Sequence, residues 1–276
     1  MPVISTNIAA NSAVRYLNIN SAAQTSSLSK LASGSRITQA SDDAAGLAIS
    51  TRISSDVTAL TQAATNASHG ISVLQTADGG ASNISDILQR MKSLASQASS
   101  GTVTDTERTY IDAEFSQLID EVDGIATGTR YNGESLLDGT SDQYNATGVD
   151  VMVGSSADDV ITLTLTSLDS ASLGIDGLTT GTQSDAQDAL DALDTAIDSV
   201  SNARASIGAL ESRFGFRSEQ IDTSIENLSA ANSAIIDTDV ASESAALASA
   251  KVKTQAAVAA AAQASQMPQD LLKLLQ

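Results

Sequence analysis

The chain has no cysteine and no tryptophan, and only two prolines, three phenylalanines and four tyrosines among 276 residues. Without cysteine there is no disulfide and no thiolate metal site, and that absence leaves the compartment open. With so few aromatics, alanine, serine and the aliphatics must do the packing. They fill a thin seam between helices better than a thick globular core. No apolar run reaches the roughly 18 residues that a membrane span requires. The opening, Met1-Pro2-Val3-Ile4-Ser5-Thr6-Asn7, lacks the basic start and apolar stretch of a standard secretory signal.

Basic residues are scarce only in the middle. Residues 1–100 carry 6 basic and 5 acidic groups, residues 101–200 carry 2 and 20, and residues 201–276 carry 6 and 8. Most of the formal charge of −19 therefore sits in the middle hundred. Like charges repel, so the middle is expected to face water while the nearly neutral ends pack together. No basic patch exists to replace phosphate counterions, which argues against a nucleic-acid partner.

What is present is helical periodicity. Residues 3–33 read as a thin apolar stripe of Ile4, Ile8, Val14, Leu17, Leu28 and Leu31, too interrupted by Ser and Asn to stand alone. Gly34 to Gln39 breaks the pattern, and Ser41-Asp42-Asp43 reads as a cap before the next helix. Ile53, Val57, Leu60, Ala64, Ala67, Ile71 and Leu74 then alternate steps of four and three, a heptad seam. The seam slips near Asp78-Gly79-Gly80, predicting a local change of winding, and resumes through Ala81, Ile84, Leu88, Met91 and Ala95.

Thr104-Asp105-Thr106-Glu107 fits a capping box, and Ile111, Phe115, Leu118, Val122 and Ile125 mark a shorter helix over about 105–125, folding back antiparallel and ended by Gly124 and Gly128. Residues 128–182 are glycine-punctuated. Val149, Val151 and Val153 alternate with polar or small residues, as do Ile161, Leu163 and Leu165, which predicts a half-solvated hairpin. From Thr182 a long helix follows, its face marked by Leu190, Leu193, Ile197, Val200, Ile207, Leu210, Phe214, Ile221, Ile225 and Leu228. Residues 240–266 are an alanine-rich helix with Val252, predicted to end at Met267-Pro268-Gln269-Asp270 before the apolar turn Leu271, Leu272, Leu274 and Leu275.

The expected architecture is mainly α: an elongated antiparallel helical bundle or coiled-coil rod with a small β-hairpin region. Residues 1–40 and 240–276 form paired terminal helices, and 41–182 with 183–239 form the rod, whose outer part is about 128–182.

Nothing in the sequence assembles an enzyme. His69 is the single histidine, so no serine has a His–acid pair to activate it. The ladder Asp185, Asp188, Asp191, Asp194 and Asp198 reads as a solvated face, and Asp42-Asp43 as cap chemistry. No glycine-rich phosphate loop is present, and no cofactor or metal is expected.

Several motifs then match one family in order. Met1-Pro2-Val3-Ile4-Ser5-Thr6-Asn7-Ile8 resembles the opening of bacterial flagellins. Leu31-Ala32-Ser33-Gly34-Ser35-Arg36-Ile37 with Ser41-Asp42-Asp43-Ala44-Ala45-Gly46-Leu47-Ala48-Ile49-Ser50 resembles their most recognisable block. Thr129-Arg130-Tyr131-Asn132-Gly133-Glu134-Ser135-Leu136-Leu137 and Ala264-Ser265-Gln266-Met267-Pro268-Gln269-Asp270-Leu271-Leu272-Lys273-Leu274-Leu275 are similar to two more. The resemblance covers roughly residues 1–175 and 185–276.

It implies a secreted homopolymer forming the extracellular filament of motility, with the terminal helices innermost and 140–182 outward. By the same resemblance the partners are a secretion chaperone holding the C-terminal segment, the export apparatus, a filament cap and hook–filament junction proteins, with no nucleic acid and no membrane. Gln89, Arg90, Leu94 and Glu114 match the region that a host innate immune receptor recognises in some relatives, although ordinary packing between subunits explains them as well.

The assembly residues expected are Ile4, Ile8, Leu17, Leu28, Leu31, Val252, Leu271, Leu272, Leu274 and Leu275. Those expected to pack the rod are Ile53, Val57, Leu60, Ile71, Leu74, Leu88, Ile111, Phe115, Leu118, Leu193, Ile197, Leu210 and Ile225. Two rivals remain: a junction protein with the same end motifs, and an adhesin on a coiled-coil stalk, for which 128–183 supplies little recognition domain.

Overall fold

A computed structural model describes residues 7–140, 144 and 147–274, and the side chains through Met267. Among the described residues six helices and four short strands follow one another: α1 Ile8–Ser33, α2 Ala44–Ala98, α3 Asp105–Gly128, β1 Arg130–Tyr131, β2 Glu134–Ser135, β3 Val149–Met152, β4 Val160–Leu163, α4 Ser170–Leu173, α5 Gln183–Ile236 and α6 Val240–Leu274. The chain divides into two compact units. One comprises Met1–Val57 with Glu226–Gln276, the other Thr58–Ile225.

In the second unit α3 and α5 both run antiparallel to α2. Arg90 of α2 pairs with Glu114 of α3 at 2.7 Å, and Arg204 of α5 pairs with Asp78 of α2 at 2.8 Å; Lys92 pairs with Asp194. These surface pairs add little energy individually but fix the register. The energy comes from the seam they flank, where Leu74, Ile84, Leu88, Met91, Phe115, Leu193 and Phe214 are fully buried.

α2 runs unbroken through Asp78-Gly79-Gly80, where the sequence predicts a slip. Gly80 instead allows a close approach: a Cβ there would meet Thr129 Oγ1 at 2.4 Å and Leu137 Cδ1 at 2.9 Å. Gly70 likewise makes room for the Phe214 ring.

The capping box of α3 is present as read. Glu107 N–H donates to Thr104 Oγ1, and Thr104 N–H donates to Glu107 Oε2 at 2.8 Å. Arg108, one turn on, is 6% exposed and closes the end of α2, with Nε donating to Ala98 O at 2.8 Å and Nη2 to Ser100 O at 3.0 Å. α3 passes through Gly124 and ends at Gly128.

The segment after α3 is less solvated than its glycines suggest. β1 pairs with β2 and β3 with β4 as separate antiparallel hairpins. Leu136, Leu137, Leu163, Leu165, Leu168 and Ile175 are buried. Two acids of α3 hold it: Asp123 accepts from Ser170 N–H at 2.7 Å and Asp112 from Thr180 N–H at 2.6 Å. Each satisfies a backbone donor that burial would otherwise strand.

Candidate assembly surfaces

The first unit is built on α1 and α6. Asn7 caps α1, its Oδ1 accepting from Ala10 N–H at 3.0 Å, and its amide donates to Ala264 O at 2.7 Å. Asn20 donates to Lys253 O at 3.4 Å, so the helices run antiparallel. Gly34, at φ +73°, ends α1 in the left-handed conformation that glycine adopts without strain.

The two connections beyond are tied to each other. Ser35 bridges Asp237, Thr238 N–H donates to Gly34 O at 3.0 Å, and Arg36 Nη2 donates to Ile235 O at 2.7 Å. Asp43 caps α2 through Gly46 N–H at 2.9 Å. Asp42 holds the preceding turn, and a hydrogen bond from Thr38 N–H, the largest contribution, keeps its carboxyl below the usual range.

α6 continues past the end predicted for it, through Pro268 to Leu274. A proline lacks an N–H, so residue 268 leaves the carbonyl four residues earlier, that of Ala264, without its helical donor. The Asn7 amide occupies that place. An outside donor thus compensates the bond that made the proline look like a terminator.

The seam between α1 and α6 is made of small residues. Ala250, Ala257 and Ala264, seven apart, are buried on α6, opposite buried Ser27 and half-buried Ala10, Ala13, Leu17 and Gln24 on α1. Small side chains let two backbones close up, but they push the bulky ones outside. Ile8 is 67% exposed and Val252 64%; Val14, Tyr16, Ile19, Leu28, Val240, Val258 and Met267 are exposed too. Nine large apolar side chains of this helix pair are thus exposed among the described residues.

Of the assembly residues expected from sequence, Ile8, Leu28 and Val252 are therefore exposed, and Leu17 and Leu31 half-buried in the seam. Ile4 and Leu275 lie outside the described residues, as do the side chains of Leu271, Leu272 and Leu274. Tyr16 and Ile19, exposed as well, have no place in the stripe read from the sequence; their signal is bulk and apolarity alone. Among the packing residues, Leu60, Leu74, Leu88, Ile111, Phe115 and Leu193 are buried, while Ile53, Val57, Ile71, Leu118, Ile197, Leu210 and Ile225 are half-buried.

Gln89, Arg90 and Glu114 share an outer face, but Leu94 is 3% exposed and turns into the core. A partner on that face meets the ion pair without the leucine.

Among the described residues no group of acids and histidine is placed to hold a metal ion, and no helix is long and apolar enough to cross a membrane.

The comparisons with known proteins agree at both ends. The bacterial flagellin N-terminal helical region matches residues 4–142 and the C-terminal helical region residues 190–275. The flagellin of Halalkalibacterium halodurans is 37% identical over 277 residues, covering 99% of both chains. The flagellar filament 30.7 kDa core protein of Treponema maltophilum is 35% identical over 283 residues, again 99% of both. The crystal structure of Bacillus cereus flagellin superposes with a TM-score of 0.51 at 32% identity, over 57% of this chain and 88% of that one. Two helical regions, matched in order and joined over nearly the whole length, place the chain in the bacterial flagellin family.

Proposed function

We propose that this chain, a structural subunit that polymerises into the bacterial flagellar filament used for motility, joins its neighbours through the bulky side chains left outside the α1–α6 seam. The observation that carries this reading is the exposure of Ile8, Val14, Tyr16, Ile19 and Leu28 on one helix and Val240, Val252, Val258 and Met267 on the other. Covering them with neighbouring subunits is worth about 25 cal/mol per Å² of apolar area. Ordering a residue costs about 1–2 kcal/mol in backbone entropy. In this reading the terminal segments, about 1–40 and 240–276, become the inner core of the filament as neighbours cover those side chains. Residues 41–239 surround it, with 128–182 outward. The contact is heterologous, so it propagates instead of closing.

The filament is extracellular, and the subunit reaches it by secretion in this reading. A chain without cysteine has no covalent cross-link to break before threading through an export apparatus. A chaperone that covers Val252, Val258 and Met267 keeps the exposed last helix from associating early. A cap and hook–filament junction proteins complete the set of partners, and a host receptor is a candidate for the Gln89, Arg90 and Glu114 face. The role is structural, with no catalytic step.

Removal of residues 268–276 tests the reading. The truncated chain is expected to keep the helicity and unfolding midpoint of its second unit and to polymerise weakly; filaments formed at full strength would refute it.

A further inference from the structure

Asn132 is the one residue other than glycine with a positive φ among the described residues, at +52°, and Gly133 follows at +90°. The two form the whole loop between β1 and β2, since Tyr131 faces Glu134 across the hairpin. A two-residue loop with both φ values positive is a type I′ turn, whose twist suits paired strands, and Asn-Gly is a dipeptide that enters it readily. Asn132-Gly133 is also the single Asn-Gly step in the sequence, and both residues are exposed.

That dipeptide is chemically labile in an open chain. The Gly133 amide nitrogen attacks Asn132 Cγ and a C–N bond forms. Ammonia leaves, taking up the proton that the Gly133 nitrogen gives up, and a five-membered succinimide remains. Water then opens the ring at either carbonyl to give aspartate or isoaspartate. Glycine is the neighbour that hinders the attack least, and no atom stands within 4 Å of where a Gly133 Cβ would be. Ring closure requires the Gly133 nitrogen to eclipse Cβ of Asn132. In a type I′ turn the first central residue has ψ of about +30°, which turns that nitrogen about 150° away from Cβ. The atoms that must join are thus held on opposite sides of the Cα–C bond.

We propose that Asn132-Gly133 is a latent deamidation site, closed while the β1–β2 hairpin is folded and open whenever it unfolds. The hairpin is anchored against opening. Ser135 Oγ donates to Ala126 O at 3.1 Å, Leu136 N–H to Thr129 O at 3.0 Å and Arg130 Nε to Thr127 O at 2.9 Å. Leu136 and Leu137, which follow β2, are buried. The rate in the folded chain is therefore the unfolded rate multiplied by the fraction of time the hairpin is open. The two products differ in consequence. Aspartate keeps the turn, because Asp-Gly suits the same geometry. Isoaspartate carries the main chain through its Cβ, and the extra backbone carbon takes Tyr131 and Glu134 out of register. The chemistry depends on hairpin opening alone and holds whether or not the chain forms filaments.

The full-length chain, held at mildly alkaline pH either folded in buffer or unfolded in guanidinium chloride, is followed by mass spectrometry of the fragment that carries residue 132. Conversion of the amide to the acid is expected to be about tenfold or more faster in the unfolded chain; equal rates would overturn the gating. Ser135→Ala removes an anchor and leaves the dipeptide intact. It should raise the folded rate severalfold and leave the unfolded rate unchanged, whereas a folded rate that does not move would contradict control by hairpin opening. Asn132→Gly supplies the positive φ without a side-chain amide. It should keep the helical circular dichroism of the wild type and abolish the fast ammonia release of the unfolded chain. Release that persists at the wild-type rate would place the chemistry elsewhere and overturn the site.

Discussion

Asn7 holds the first and last helices together at a place where the last helix lacks a bond: its amide lies 2.7 Å from the carbonyl of Ala264, which loses its helical donor to Pro268. The same side chain caps α1 through Ala10 N–H.

Asn7→Ala therefore removes two interactions. The cap is worth about 1 kcal/mol, and the unpaired carbonyl adds about 1 kcal/mol. In a Pro268→Ala background the new N–H serves Ala264, so only the cap term should remain. A double-mutant cycle read from hydrogen exchange of the α1 amides should show a coupling near 1 kcal/mol; strict additivity would mean the proline and the asparagine act separately.

Adjacent glycines in α2 should respond with opposite signs. Gly79 has nothing within 4 Å of where a Cβ would stand, so Gly79→Ala is expected to stabilise by about 1 kcal/mol through helix propensity. At Gly80 the added carbon meets Thr129 Oγ1 at 2.4 Å, and overpacking costs about 1–3 kcal/mol, more than propensity returns. Urea denaturation of the two variants decides it.

Acid should loosen the start of α3. The Glu107 carboxyl is held below its ordinary 4.5, first by the Thr104 N–H and then by its hydroxyl. A depressed folded value means that the charged form is favoured by folding, so the contribution is complete above about 4.5 and is lost as pH falls through the lowered value. Asp42, held below its ordinary 3.8 chiefly by Thr38 N–H, acts with the same sign. Glu107→Gln should flatten the pH dependence of exchange at the first α3 amides in this acid range; an unchanged slope would exclude the capping carboxylate as its source.

The helices were legible where bulky residues keep one period. Leu60, Leu74 and Leu88 on α2 fall on the heptad and are buried. The reading failed where small residues carry the contact. The Ala250, Ala257 and Ala264 seam is hidden among alanines on every side of α6, so no stripe of bulky residues marks it. On α3 the buried Ile119 adjoins Leu118, and periodicity alone does not choose between neighbours. Asp112 and Asp123 resembled solvated acids because their backbone donors are about fifty residues or more away in sequence. Pro268 misled for a similar reason: the group that compensates for it lies at the other end of the chain.

The central claim is that the bulky side chains left outside the α1–α6 seam drive polymerisation. Seeded elongation of the full-length chain, followed by electron microscopy, should be compared with that of a variant carrying Ile8→Ser, Leu28→Ser and Val252→Ser, all at exposed positions. The account predicts that the variant keeps the helical circular dichroism of the wild type yet fails to extend seeds at concentrations where the wild type grows long filaments. Growth of the folded variant at the wild-type rate would contradict it.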